Sequence, residues 1–331
     1  MKFNNIYILC PGALKTGGPE LLHQLNYQIN KLSSSICSHV VYFKNVKSPV
    51  VKEFKKYLNS DWLLEKDIID EPQNLIIFPE TALSEFTNFH YAKKFIWWLS
   101  VDNYLCNNSL SFVCSEFGIR TALHYYINGT IRDRSKLIKM ADLNLCQSYY
   151  AVDFLKKQGI SNIKLLSDYL NDFYIENYKD FLKSNRKNIV LYNPKKGFKF
   201  TKKIIDASPD INWVPLVGMS NDQVLNYLKT SKVYIDFGNH PGKDRLPREA
   251  AICGCCIITG KKGAAAFKED IPISETYKFD DKASSIPYIV EKIRLLLKNY
   301  DEIVKDFEPY RKQIINEKSQ FIQECKTIFI D

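Results

Sequence analysis

Short apolar runs punctuate this chain, each closed by a loop and followed by a stretch of helical spacing, and the series is played through twice. Neighbouring strands that run parallel need a crossover, and a helix is the usual crossover, so this alternation dictates parallel sheets covered by helices on both faces. The first series predicts strands at 6–10, 40–43, 75–78, 95–101 and 141–146. The loop 11–18 leads into a helix opened by Pro19, with Leu21, Leu22, Leu25, Ile29 and Leu32 on one face, and a helix over 149–158 is stopped by Gly159. The second series predicts strands at 189–192, 213–217, 233–237 and 255–259. Helices are predicted at 201–207, behind a capping box of Ser220 and Gln223, from Pro247 to a stop at Gly254, and along the tail from 286 to about 330. Residues 171–188 are aromatic and charged without a clear period and read as an interdomain connection.

The reading is therefore an α/β chain of two facing, doubly wound, Rossmann-like domains. Residues 1–170 form the first, acceptor-side domain, 171–188 the connection, 189–305 the second, donor-side domain, and 306–331 a C-terminal helix able to cross back to the first domain. At 331 residues and 45% hydrophobic the chain can bury two cores, which excludes a disordered or fibrous protein. No apolar run approaches the ~20 residues of a membrane helix. After Met1 and Lys2 only a short apolar run precedes Pro11 and Gly12, too short for a signal peptide, so a cytoplasmic protein is expected. Nine cysteines without framework spacing fit free, mostly buried thiols, and Cys253, Cys255 and Cys256 lack a second ligand pair, so no metal site is expected.

The net charge is +9, and residues 184–331 carry 25 basic against 19 acidic side chains, which makes the second half the better anion binder. In open α/β sheets ligands lie beyond the carboxyl ends of the strands. That rule selects the glycine loop ending in Gly17 and Gly18, whose backbone can approach a phosphate or sugar but which has neither dinucleotide nor P-loop spacing. It also selects Glu80 and Asp102 as candidate general bases or acceptor ligands. On the second side it selects Lys195 and Lys196, and the segment 240–249, where Gly242, Lys243, Asp244, Arg245, Arg248 and Glu249 precede or open a helix. A diphosphate fits this group, with Glu249 suited to a ribose diol. His240 reads as a hydrogen-bonding loop residue, Trp97 and Trp98 as core, and Lys202 and Lys203 as a solvated face. The lysines are not interleaved with aromatics in a nucleic-acid motif, so no nucleic acid is expected.

Residues 246–258, LPREAAICGCCII, resemble the P-x-x-E-A-x-x-x-G-x-P-V-I donor signature of GT-B glycosyltransferases, especially the large family-4-like group. Asn193-Pro194-Lys195-Lys196-Gly197 resembles that group's basic strand-end loop, Gly17-Gly18-Pro19-Glu20 its glycine turn, and Ser148-Tyr149 the segment that closes its first domain. The resemblance implies a hexosyltransferase-type enzyme that uses a nucleotide sugar as co-substrate, with no cofactor. Lys196 and a nearby base would hold the diphosphate, and Glu249 the ribose. It also implies a glycan or lipid-linked acceptor in bacterial lipopolysaccharide or capsule synthesis, with peripheral contact to an anionic membrane. The group's earlier glutamate would fall on Pro241, so its E-x7-E pair is broken and Arg245 or Arg248 is left to neutralise charge. Arg248 is accordingly placed with Asp102 and Glu80 among the catalytic candidates, the leaving diphosphate being stabilised without metal. The alternatives are a catalytically silent GT-B scaffold that binds glycan or a partner transferase, and a Rossmann-type epimerase or dehydrogenase, against which the missing G-x-G-x-x-G speaks.

Overall fold

The structure, a computed structural model, describes residues 3–43, 47–58 and 62–331; Met1 and Lys2, from which the leader reading starts, lie outside them. The chain divides into two compact units, residues 1–168 with 319–331, and residues 169–318.

The first unit is built on seven strands: β1 Asn5–Pro11, β2 Cys37–Phe43, β3 Leu63–Leu64, β4 Leu75–Pro79, β5 Lys93–Trp98, β6 Leu143–Cys146 and β7 Ile163–Leu165. All neighbours are parallel, in the order β3-β2-β1-β4-β5-β6-β7. Parallel sheets are covered on both faces, so their strands read as unbroken apolar runs, and residues 6–10 and 75–78 are accordingly buried without alternation. The order reverses between β1 and β4, which opens a crevice at their carboxyl ends. Three details differ from the sequence reading. The helix after β1, Gly17–Leu32, begins two residues before Pro19. Strand β5 stops at Trp98, because the Ser100 hydroxyl accepts from the Asn103 N–H and starts a helix at Val101. The helices Leu110–Phe117, Ile119–Ile127 and Ser135–Met140 were not foreseen. Trp97 and Trp98 are fully buried, their indole N–H groups donating to the Leu166 carbonyl and the Asn144 side chain.

The second unit carries β8 Lys187–Tyr192, β9 Asn212–Pro215, β10 Ser231–Asp236 and β11 Cys256–Thr259, again all parallel, in the order β11-β10-β8-β9. Its reversal falls between β8 and β10. The capping box forms as its spacing requires, with both the Ser220 and Gln223 hydrogen bonds in place. The segment read as a connection instead contains a helix, Asp172–Leu182, started by the Asn171 side chain accepting from the Phe173 N–H. Its buried face is so sparse that only Phe181 is fully covered, which is why no period showed. All nine cysteines are free; Cys10, Cys146, Cys253, Cys255, Cys256 and Cys325 are buried, and burial pushes the Cys255 thiol up to about 12.

The tail is not one helix but several, among them the helix Glu308–Cys325 and the short helical turn Lys326–Ile330 that follows it; residues 319–331 belong to the first unit. There Phe321 stacks on Trp97 with ring centroids 6.4 Å apart, and the Glu324 carboxylate accepts from the Ser167 N–H and hydroxyl, both at 2.7 Å. Phe321 and Phe329 are 1% exposed. Truncating Phe321 to alanine is expected to cost about 3–5 kcal/mol, read from urea unfolding, because the face around Trp97 would lose its cover.

Candidate functional site

At the reversal point of the second sheet three loops are brought into backbone contact. Gly197, at φ +57°, sits where a Cβ would lie 2.5 Å from the Phe237 carbonyl oxygen, and Gly263, also at φ +57°, where a Cβ would lie 2.1 Å from that of His240. Only glycine permits these approaches, which draw together the loops after β8, β10 and β11. The Ala264 N–H donates to the His240 carbonyl at 2.8 Å, and the Gly260 N–H to that of Asp236 at 2.9 Å.

Four charged side chains converge there. Lys196 is hydrogen-bonded to Asp244 and lies 3.9 Å from Asp236. His240 is fully buried, with Nε2 3.7 Å from Asp236 and Nδ1 3.2 Å from Asp244, and neither nitrogen has a well-directed hydrogen bond. Burial lowers the His240 pKa, but the Asp236 charge and the contact with Asp244 outweigh it and the net shift is upward. Burial raises the Asp244 carboxyl, and His240 with Lys196 outweighs that, leaving it below the usual range. Asp236, His240 and Asp244 place one ligand atom each within 4.8 Å of one another, among the described residues. Lys196 stands at the same carboxylates, so an ammonium already supplies positive charge there. Tyr234 donates to Asp236 at 3.0 Å and fixes it from behind.

The other predicted residues separate into two groups. Lys195 is exposed, Arg245 half-buried, and Gly242 buried. Lys243 and Arg248 do not face outward: Lys243 is 9% and Arg248 1% exposed, and both pair with Glu317, at 2.9 and 2.8 Å. The remaining Arg248 nitrogens donate to the Lys243 and Asp244 carbonyls. Arg248, placed among the catalytic candidates, is thus buried against Glu317 and holds the loop from beneath. Glu249 also shifts: the helix begins at Arg245, ahead of Pro247, so Glu249 lies past the first turn, beside Tyr174, whose hydroxyl it accepts. Lys202 pairs with Asp206 on the outer face of its helix at 2.7 Å.

In the first unit Glu80 and the Gly17–Gly18 turn stand at the β1/β4 reversal. Glu80 is buried, accepts from the Leu99 N–H at 3.0 Å and the Asn103 amide at 3.5 Å, and burial pushes it up to about 7. It borders a cavity of about 150 Å³ lined also by Thr81, Ser84, Asn107 and Arg134. Asp102 lies in the first turn of a helix instead of a strand-end loop, and accepts from the Tyr150 hydroxyl at 3.1 Å. The residues sequence reasoning missed are Glu317, Asp236 and Tyr174. Glu317 left one signal: an acid within the buried stripe Tyr310, Ile314, Phe321, Cys325.

No family model and no curated protein matches the sequence. Solved structures do. Sucrose-phosphate synthase from Thermosynechococcus elongatus is 12% identical at a TM-score of 0.64, covering 98% of each chain. The HepE protein of Anabaena, in complex with UDP, is 12% identical at 0.60, covering 99% of each. The catalytic domain of starch synthase IV from Arabidopsis thaliana, bound to ADP and acarbose, is 10% identical at 0.57, covering 99% of this chain and all of that one. At such identities the likeness shows the fold: this chain has the two-domain α/β architecture of the GT-B glycosyltransferases.

Two substitutions check these assignments. Arg248→Ala would leave Lys243 as the sole partner of Glu317 and is expected to destabilise the protein by about 3 kcal/mol, measured by chemical unfolding. Glu80 has a folded pKa raised above its unfolded value, so its stabilising contribution is complete below about pH 4.5, and is lost as pH rises to about 7. Glu80→Gln is therefore expected to flatten the fall in stability between pH 5 and pH 8, a difference on the order of 3 kcal/mol.

Proposed function

We propose that the protein is a glycosyltransferase that moves a sugar from a nucleoside-diphosphate sugar to a glycan or lipid-linked acceptor. The observation that carries the reading is Lys196, an accessible ammonium fixed by Asp244 at the strand-order reversal of a GT-B fold. The fold-neighbours solved with UDP and with ADP support a nucleotide donor.

In this reading the bond from the sugar C1 to the diphosphate oxygen breaks while an acceptor hydroxyl oxygen bonds to C1, its proton passing to a base. The diphosphate takes Lys196 over from Asp244 and is met by the exposed Lys195 and the half-buried Arg245. Gly242 lets the backbone come close, and Lys243 and Arg248 hold the loop through Glu317. Fixed cations suit charge developing on a leaving diphosphate, and with His240 they serve in place of a metal ion. Glu249, steadied by Tyr174, binds the ribose diol. Glu80, with a pKa of about 7, is the better-tuned base and Asp102 the second candidate. The Gly17–Gly18 turn borders the acceptor side. A role in bacterial lipopolysaccharide or capsule synthesis, at the cytoplasmic face of a membrane, follows the same reading. Among the described residues no helix is long and apolar enough to cross a membrane.

A thermal-shift screen with UDP, GDP, CMP, ADP and dTDP, with and without EDTA, tests it. One nucleotide is expected to raise the Tm equally in both conditions, by the equivalent of about 2.7 kcal/mol at a hundredfold excess over Kd, and Lys196→Ala to remove most of that shift. No response to any nucleotide would favour a silent scaffold, and a shift abolished by EDTA would overturn metal independence.

A further inference from the structure

We infer that the face formed by residues 110–140 docks the protein on an anionic lipid bilayer. Two consecutive helices there are turned inside out. The helix Leu110–Phe117 buries only Val113, and the helix Ile119–Ile127 only Ala122. Their large side chains point to solvent: Phe117 is 56% exposed, Ile119 65%, Leu123 51%, Tyr126 62% and Ile127 78%. Ile119, Leu123, Tyr126 and Ile127 recur at helical spacing and form one stripe. Seven of the seventeen large hydrophobic side chains exposed among the described residues fall within 110–140, which marks a patch instead of scattered surface residues.

The charge around the patch selects the occupant. Residues 110–140 carry five basic side chains against two acidic, and Arg120, Arg132, Lys136 and Lys139 are exposed. Two copies of this face brought together would set like charges against each other, which disfavours a self-complementary dimer. A bilayer with anionic headgroups takes both parts: the apolar stripe enters the headgroup boundary, the cations stay among the headgroups, and Tyr126 sits at the interface. The purpose of such docking, reaching a lipid-linked acceptor, rests on the proposed function; the docking itself does not.

The test is flotation of the full chain with vesicles of phosphatidylcholine alone and of phosphatidylcholine with phosphatidylglycerol. The protein is expected to float with the anionic vesicles and far less with the neutral ones. Lys136→Gln with Lys139→Gln should weaken binding by about fivefold per lysine removed. Leu123→Ser with Ile127→Ser should weaken it by at least about tenfold, and both variants should keep the Tm and nucleotide response of the parent. The inference is overturned if the parent does not float with anionic vesicles, or if both variants float as well as it does. Sedimentation showing self-association that the Leu123/Ile127 variant loses would also overturn it, assigning the face to a second copy. Failure of the glycosyltransferase reading would show in the nucleotide screen and leave flotation untouched.

Discussion

A carboxylate taken out of water must find partners or protonate, and Glu317 finds two. Lys243 and Arg248 close on it from one loop and the helix that follows, and Arg248 also ties down the carbonyls of Lys243 and Asp244. Removing one partner from such a group is costly, so the loop after β10 has little choice of conformation. With the loop held, Asp244 is presented to Lys196 and His240, and Asp236 completes the set from the strand end. The local charges then nearly cancel. An anion arriving there gains less from bare positive potential than from replacing one carboxylate with another, so selectivity rests on shape and the number of oxygens offered.

The sheet strands were readable because parallel strands are buried on both faces and need no alternation to be seen: β1, β4, β8, β10 and β11 all lie within a few residues of their apolar runs. The strands Leu63–Leu64 and Ile163–Leu165 were not, being two and three residues long and only partly buried. The helices between Leu110 and Met140 were missed because they are short, six to nine residues each, and each buries a single side chain, Val113, Ala122 or Ile138. Strand-end position picked out Lys196 and Asp244, which meet at the reversal of the second sheet, and Glu80, which stands at that of the first. It could not tell an outward cation from an inward one, and so ranked Arg248 with Lys196. That distinction was set by Glu317, 69 residues further on, whose clue was being an acid on an apolar helix face.

Glu80 illustrates a different balance. Its carboxyl accepts a backbone N–H from Leu99, which ties the end of β4 to the end of β5, yet burial still wins and leaves it near neutrality in acid strength. A group with that compromise can hold a proton or release it within the ordinary pH range. Structure and proton chemistry are therefore vested in one side chain, and the same burial that suits it to the second weakens the fold when it ionises.

The first unit is interrupted in sequence by the second. Its seven strands are complete by Leu165, but the cover over Trp97 comes from Phe321 and its neighbours, made only after residues 169–318. During synthesis the first sheet must therefore wait with an apolar face uncovered while a whole further unit emerges and folds. Chain order makes the last few residues the step that commits the first unit, and a chain halted before them would carry a finished second unit joined to an unfinished first.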